Sequence, residues 1–327
     1  LFSRAVLEGA KAMGFKPDVS HAHDWQTGLV PAYLKKFYAQ DPFFAATRSV
    51  FTVHNMAYQG NFPRAALEAA GFGAAEWNPD GLEYYGQVSY LKAGLAYADR
   101  LTTVSPTYAK EIRQSSERGF GFEGLLTRRS AELSGILNGI DVELWDPARD
   151  PALARHYGVE DFAAGKAACK EALQRDCGLT VGGKPLIGVV SRLDYQKGLD
   201  LALPVIEARL DRAQFVVLGT GDPSLTEQFA ALERRHPGVV HFHRAFDEPF
   251  AHRVYAASDV FLMLSRFEPC GLGQMIAMRY GALPVVVRTG GLADTVADAE
   301  RGDAKANGFV AEDCESAELR RVLEAAL

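Results

Sequence analysis

Short apolar runs rich in Val, Ile and Phe recur along the chain, and segments of helical spacing separate them. The runs are Pro17–His23, Arg48–Asn55, Arg100–Ser105, Pro185–Arg192, Ala213–Gly219, Val239–Arg244, Asp259–Ser265 and Leu283–Arg288. Leu199–Leu210 and Leu225–Arg235 are examples of the intervening segments, with apolar residues near helical intervals. Within FTVH (51–54), IGVV (187–190) and FVVL (215–218) there is little polar alternation, so both faces of each strand are apolar. A strand of that kind has to be covered on both sides. The pattern therefore predicts an α/β fold of parallel sheets flanked by helices.

One sheet does not accommodate all the runs. Three fall before Ser105, the stretch 107–183 reads as helix and loop, and a new series begins at Pro185. NGIDVELWDPARDP (138–151), dense in turn formers and aromatic residues, reads as an interdomain connection. We expect a boundary near Ile140, giving domains 1–140 and 141–327, the second including a linker over 141–183. In open parallel sheets ligands bind beyond the carboxyl ends of the strands. Here those ends are His23-Asp24-Trp25, His54-Asn55, Ser105-Pro106, Ser191-Arg192, Gly219-Thr220-Gly221, Ser265 through Cys270 and Thr289-Gly290-Gly291.

Composition narrows the function. The 35 basic and 41 acidic residues give a formal charge of -6 with no basic block, which argues against a nucleic-acid partner. No apolar run approaches the ~20 residues of a membrane helix, and the first residues lack a signal-peptide layout. Cys169, Cys177, Cys270 and Cys314 have no CxxC spacing, as expected for thiols in a reducing, cytoplasmic setting. The chain opens at Leu1 inside one amphipathic pattern and stops inside another, AELRRVLEAAL, so a fragment is expected.

Three strand ends carry the strongest chemical signals. In SRLDYQKG (191–198), Arg192 and Lys197 flank a short loop and supply a planar fork and a point charge, a pairing suited to a pyrophosphate. In SRFEPCGLGQ (265–274), Pro269 breaks the ladder and Gly271 and Gly273 leave amides bare before a helix expected from about Gln274. Glu268 there suits sugar hydroxyls or developing positive charge, the alternative being a capping or surface acid. Cys270 reads equally as a contact or as a small packed residue. In RTGGLADTV (288–296), Thr289 ends a strand, and Gly290 and Gly291 permit close backbone approach to a ligand.

The remaining signals are weaker. His23 and His54 stand at strand ends, with Asp24 a natural partner for one of them or for a ligand hydroxyl; a buried structural histidine is the plainer reading of each. Asn138 lies at the domain junction, where a plain turn is the alternative. GxxxxGK[ST], GxGxxG and GxSxG are absent, as are an Asp-x-Asp pair and a His/Cys cluster, so no metal and no cofactor is expected.

Taken in order, HDW…GL, FTVHNMAYQG, LTTVSPTYAKEI, ILNGID, SRLDYQKGLDL, SRFEPCGLGQ and RTGGLADTV resemble bacterial glycogen synthases and plant starch synthases over essentially the whole chain. The resemblance implies the GT-B architecture, two Rossmann-like domains facing a cleft, here with an incomplete N-terminal domain. It also implies metal-free, retaining transfer of glucose from ADP-glucose to an α-glucan such as glycogen or maltodextrin. By motif, Arg192 and Lys197 would hold the distal phosphate, and Glu268 with the amides of Cys270, Gly271 and Leu272 would grip glucose. His54 would sit near the breaking bond, Asn138 would touch the sugar, Phe246 would lie against the nucleobase, and Asp24 would stand on the acceptor side.

The chain departs from the family pattern in several places. The family's Lys-x-Gly-Gly-Leu loop and its final returning helix are absent from this sequence. Gly273 replaces a Thr, Asp194-Tyr195 stand where Thr and often Trp are common, and Gln26 replaces a frequent His. These departures put the activity of this chain, though not that of the family, in question. The alternatives are a UDP-glucose-dependent transferase of the same architecture, a glycan phosphorylase, for which no pyridoxal-phosphate lysine motif is found, and a non-catalytic glucan- or nucleotide-binding protein.

Overall fold

The computed structural model describes residues 1–302 and 304–327. They form two compact units, Leu1–Leu137 and Asn138–Leu327.

Unit 1 is built on strands β1 (Val19–His23) and β2 (Arg48–Val53), a small antiparallel sheet of β3 (Asn61–Phe62), β4 (Glu83–Tyr84) and β5 (Gln87–Ser89), and then β6 (Arg100–Thr103) and β7 (Leu133–Gly135). The main sheet has the order β1-β2-β6-β7, every pair parallel. Phe51 and Val53 of β2, Leu101 of β6, and Leu91 and Leu95 of the helix Tyr90–Tyr97 are buried in one core. SPTYAKEI becomes a helix because Ser105 caps it, accepting from Tyr108 N–H at 2.9 Å, and Pro106 occupies the first turn, where a missing N–H costs nothing. Strand β7 is a correction to the sequence reading, which left 107–183 as helix and loop. Its three residues, Leu-Ser-Gly, are too few to establish a period, and pairing with β6 (Leu101↔Leu133) supplies the order that local pattern lacks.

Unit 2 carries β8 (Leu186–Val190), β9 (Gln214–Leu218), β10 (Val240–His243), β11 (Val260–Met263), β12 (Leu283–Val287) and β13 (Phe309–Ala311), all parallel, in the order β10-β9-β8-β11-β12-β13. Both faces are covered, as the doubly apolar strands require. Phe215 and Val217 of β9 enter one core cluster, while Val216 and Leu218 enter the other. The chain winds outward one way from β8 and then returns beside it at β11, so the sheet's switch point lies between these two strands. Their pairing is brief: Val260↔Ile187 and Phe261↔Gly188 are in register, and the strands part beyond. A crevice opens there at their carboxyl ends.

The segment 138–183 packs into unit 2, with Tyr157, Cys169, Leu173 and Leu179 in its core. Asp150 anchors it. Its buried carboxylate takes hydrogen bonds from His252 Nδ1 at 2.6 Å and Tyr280 OH at 2.5 Å, and Trp145 stacks on His252 with centroids 4.0 Å apart. Asp150→Ala removes two hydrogen bonds to a buried carboxylate, worth about 1.5–3 kcal/mol each, and leaves in their place a 3.3 Å contact between Tyr280 OH and His252 Nδ1. We expect a loss of roughly 2–4 kcal/mol in urea unfolding of unit 2; a change below about 0.5 kcal/mol would remove the anchor from this account.

Candidate active site

Two loops meet at the crevice of unit 2. After β8, Asp194 shapes the loop, its Oδ1 accepting Lys197 N–H at 2.9 Å and its Oδ2 lying 2.9 Å from Arg192 NH1. After β11, Pro269 and the positive-φ Gly271 turn the chain into the helix Gly273–Arg279. Two hydrogen bonds stitch the loops together: Arg266 N–H donates to the backbone Gln196 O at 2.9 Å, and the Gln196 side-chain Nε2 donates to Phe267 O at 3.3 Å. Arg266 braces the outside with a two-pronged bridge to Asp200 (2.7 and 2.6 Å), its guanidinium 4.1 Å from the Tyr195 ring centroid.

The result is a cation and an anion facing each other in a confined place. Lys197 Nζ lies 2.5 Å from Glu268 Oε2, and Ser265 Oγ donates to the same oxygen at 3.0 Å. Glu268 is 5% exposed, so its charge is held by these two donors rather than by bulk water. Lys197, Glu268, Ser191 and Leu272 line a cavity of about 130 Å³ whose inner wall is Val189, Val190, Leu262 and Met263, the residues where β8 and β11 separate. An adjoining, mainly apolar cavity of about 350 Å³ shares Val190, Ser191 and Tyr255 with it and adds Arg192, Thr220, Trp145 and Phe246. The sequence reading aimed both cations at one point. Here they stand on either side of Ser191, Lys197 toward the polar cavity and Arg192 toward the apolar one. Phe246 is 93% exposed.

The third loop supports the second. Thr289 is buried, and Gly291 N–H donates to Glu268 O at 3.0 Å. A Cβ on Gly290 (φ +42°) would fall 2.0 Å from Glu268 O, and one on Gly291 would fall 2.1 Å from Cys270 O. The sequence reading gave these glycines to the approach of a ligand, but the close approach seen is protein backbone to protein backbone. Burial pushes the Cys270 thiol up, offset in part by a hydrogen bond from the Asn138 backbone, which brings the start of unit 2 beside this loop. The Nε2 of Gln274, fully buried, has Cys270 O, Gly271 O and Thr295 Oγ1 at 2.9–3.2 Å as acceptors for its two hydrogens. Neither Gln274 nor Asp194 was assigned a role from sequence, where a lone amide or acid in a loop carries no periodic or spacing signal.

In unit 1 the ends of β1 and β2 bring His23, Asp24 and His54 together. Asp24 partners one of the two histidines, the first of the alternatives read from the sequence, through that residue's backbone. Its Oδ1 accepts the backbone N–H of His54 at 2.8 Å, and Asp24 itself holds a left-handed φ of +53°. The ring partner of His54 is His23, with Nδ1···Nε2 at 3.0 Å, and His21 stacks on His23 at 4.3 Å. One ring must donate and the other accept, so at least one of the pair is neutral. Burial, then the neighbouring His21 and His54, hold His23 below the usual histidine range. A folded value below the ordinary ~6.5 means that the unfolded chain takes up the proton first as pH falls, so stability drops on acidification below about 6.5. We expect the melting temperature of unit 1 to fall between pH 7 and 5, and His23→Gln to make that slope shallower. Equal slopes would contradict the assignment.

The starch synthase catalytic domain family matches residues 1–128, and the glycosyl transferases group 1 family matches residues 173–327. The glycogen synthase of Elusimicrobium minutum is 52% identical over 327 residues, which is 100% of this chain and 68% of that protein. That of Syntrophotalea carbinolica is 48% identical over 328 residues, with 100% and 67% covered. The catalytic domain of starch synthase IV from Arabidopsis thaliana, bound to ADP and acarbose, superposes with a TM-score of 0.92 at 38% identity, covering 99% of this chain and 68% of that one. The chain thus spans about two thirds of these proteins and shares their two Rossmann-like, GT-B-type units. With about half its residues identical to such relatives from end to end, it belongs to the glycogen synthase family of glycosyltransferases.

Proposed function

We propose that the protein transfers glucose from ADP-glucose to the non-reducing end of an α-1,4-glucan with retention of configuration. The observation that carries the reading is the Lys197–Glu268 pair at the switch point, next to an apolar cavity with Phe246 and Trp145 in its wall. A nucleotide sugar has the matching parts: a flat base, a doubly charged diphosphate and a hydroxyl-rich ring. The base suits the apolar cavity and the Phe246 ring. Arg192 and Lys197 suit the diphosphate, and Glu268 with the amides of Cys270, Gly271 and Leu272 suits glucose. Asn138, Thr289, Gly290 and Gly291 hold the loop that carries these groups. Asp24 is assigned to glucan hydroxyls and His54 to the sugar. The family membership and the ADP in the starch synthase IV complex support the choice of donor.

The reaction breaks the bond between C1 and the phosphate oxygen, whose electron pair stays on the departing ADP. Positive charge grows on the ring and negative charge on the diphosphate. Lys197 at the polar cavity and Arg192 at the adjoining apolar one stabilise the second, each worth about 10²–10³ in rate for a donor of this kind. Among the described residues Glu268 is the one carboxylate that lines the polar cavity, whereas a double displacement pairs its nucleophile with a second carboxyl group about 5 Å away. We therefore assign front-face attack: the acceptor oxygen bonds C1 on the side from which phosphate leaves, and its proton passes to the departing phosphate oxygen. A glucosyl adduct trapped on Glu268 would contradict this step.

Arg192 is half exposed, and its partners Asp194 at 2.9 Å and Gln196 at 3.4 Å lie on its own loop, so its loss disturbs the fold little. Arg192→Ala should lower kcat for incorporation of labelled glucose from ADP-glucose into glycogen by about 10²–10³, with an unchanged melting temperature. A kcat within threefold of the parent would refute the phosphate role. In a donor competition, ADP-glucose should displace UDP-glucose; the reverse preference would assign the other nucleotide.

A further inference from the structure

Unit 1 holds a second polar cavity, about 360 Å³, which the assignments above leave unused. Tyr84, Tyr85, Asp80, Lys92, Gly121 and Arg128 are among its walls. Strands β4 and β5 pair antiparallel with Tyr84 opposite Gln87, so Tyr85-Gly86 is a two-residue turn. Both residues have positive φ, +48° and +77°, as in a type I′ turn, where Asn or Gly is the unstrained first residue. Here the residue is Tyr, and its ring is thrust outward, 82% exposed and edge-on to Tyr84 at 4.7 Å. Among the described residues three non-glycines hold positive φ: Asp24, Tyr85 and Phe120. Asp24 lies in the histidine cluster. Tyr85 lines this cavity, and Phe120 immediately precedes Gly121 and Phe122, which line it too. Backbone strain kept in place by its surroundings collects at functional positions.

The walls are built to hold still. Buried Lys92 donates to Pro79 O at 2.6 Å and to Glu83 O, fixing the loop that carries Asp80. Glu83 Oε1 accepts Gly86 N–H at 2.7 Å and locks the turn. Tyr84 OH and Gln59 Nε2 both donate to Phe120 O, tying the hairpin to the opposite wall. At the rim, Asp80 and Arg128 present side chains 91% and 62% exposed, 3.6 Å apart.

We propose that this cavity is a glucan subsite, in which one glucose ring lies against Tyr85 and its hydroxyls bond Asp80 and Arg128. The negative face of an aromatic ring attracts the weakly positive C–H face of a pyranose. A carboxylate beside a guanidinium offers acceptor and donors at the spacing of adjacent hydroxyls. Asp80 and Glu83 balance Lys92 and Arg128 in these walls, which suits a neutral, hydroxyl-bearing ligand better than an ion, and the polar lining disfavours an apolar one. The inference rests on the glucan acceptor proposed above, and its role is to hold a polymer away from the reacting end.

Native electrophoresis through gels containing glycogen gives an apparent Kd from retardation. Tyr85→Gly removes the ring and also relieves the left-handed strain, so its melting temperature should hold or rise. We expect its apparent Kd for glycogen to increase about tenfold while ADP binding stays unchanged. If Tyr85→Gly is retarded within twofold of the parent, the subsite is overturned and the glucan acceptor stands. If the parent is not retarded at all while binding ADP, both fall.

Discussion

The pairing between β8 and β11 lasts for two residues and then stops, and the candidate chemistry of unit 2 depends on that interruption. Had the strands stayed in register to their ends, Val189, Val190, Leu262 and Met263 would close a continuous sheet. Instead they wall a cavity, and the loops that follow them reach across it. The Lys197–Glu268 contact spans this gap. A carboxylate at 5% exposure is costly to desolvate, and Lys197 and Ser265 offset that cost in the absence of a ligand. The same geometry makes the pair responsive. A diphosphate offers Lys197 a second anion, and a hexose offers Glu268 hydroxyl donors, so substrate exchanges one set of partners for another rather than entering an empty hole.

The supporting shell is mostly backbone. Arg266 to Gln196 and Gly291 to Glu268 are joined through main-chain groups, the Gln196 side chain adds a bond to Phe267 O, and Gly290 and Gly291 are admitted because any side chain would strike the carbonyls of Glu268 or Cys270. Gln274 closes the turn from beneath, its Nε2 sharing two hydrogens among three acceptors. Such a site is rigid through its turns, which agrees with a role in orienting a ligand. Strain follows the same economy in unit 1, where left-handed non-glycine residues occur at Asp24 and around the Tyr85 hairpin.

Sequence alone made the central strands legible because burial on both faces removes alternation and leaves β-branched runs that nothing else explains. It also set Arg192, Lys197 and Glu268 after such runs, and the structure has Lys197 and Glu268 lining one cavity and Arg192 the next. It missed β7, β13 and the β3–β5 hairpin sheet, segments of two or three residues whose order comes from partners distant in sequence. It offered Asp24 a histidine or a ligand hydroxyl as partner; the partner is His54, through its backbone amide, a contact that no side-chain pattern displays. Asp194, Gln274 and Trp145 act through contacts that depend on tertiary approach, and no spacing rule marks them.

The central claim is that the loop beginning at Ser191 meets a nucleotide diphosphate while Glu268 turns to the sugar. A crystal structure of the protein soaked with ADP tests it directly. The account predicts the distal phosphate within hydrogen-bonding reach of Lys197 Nζ, with that ammonium drawn off Glu268 and the adenine beside Phe246. A diphosphate bound elsewhere on unit 2, with the Lys197–Glu268 contact intact, would contradict it.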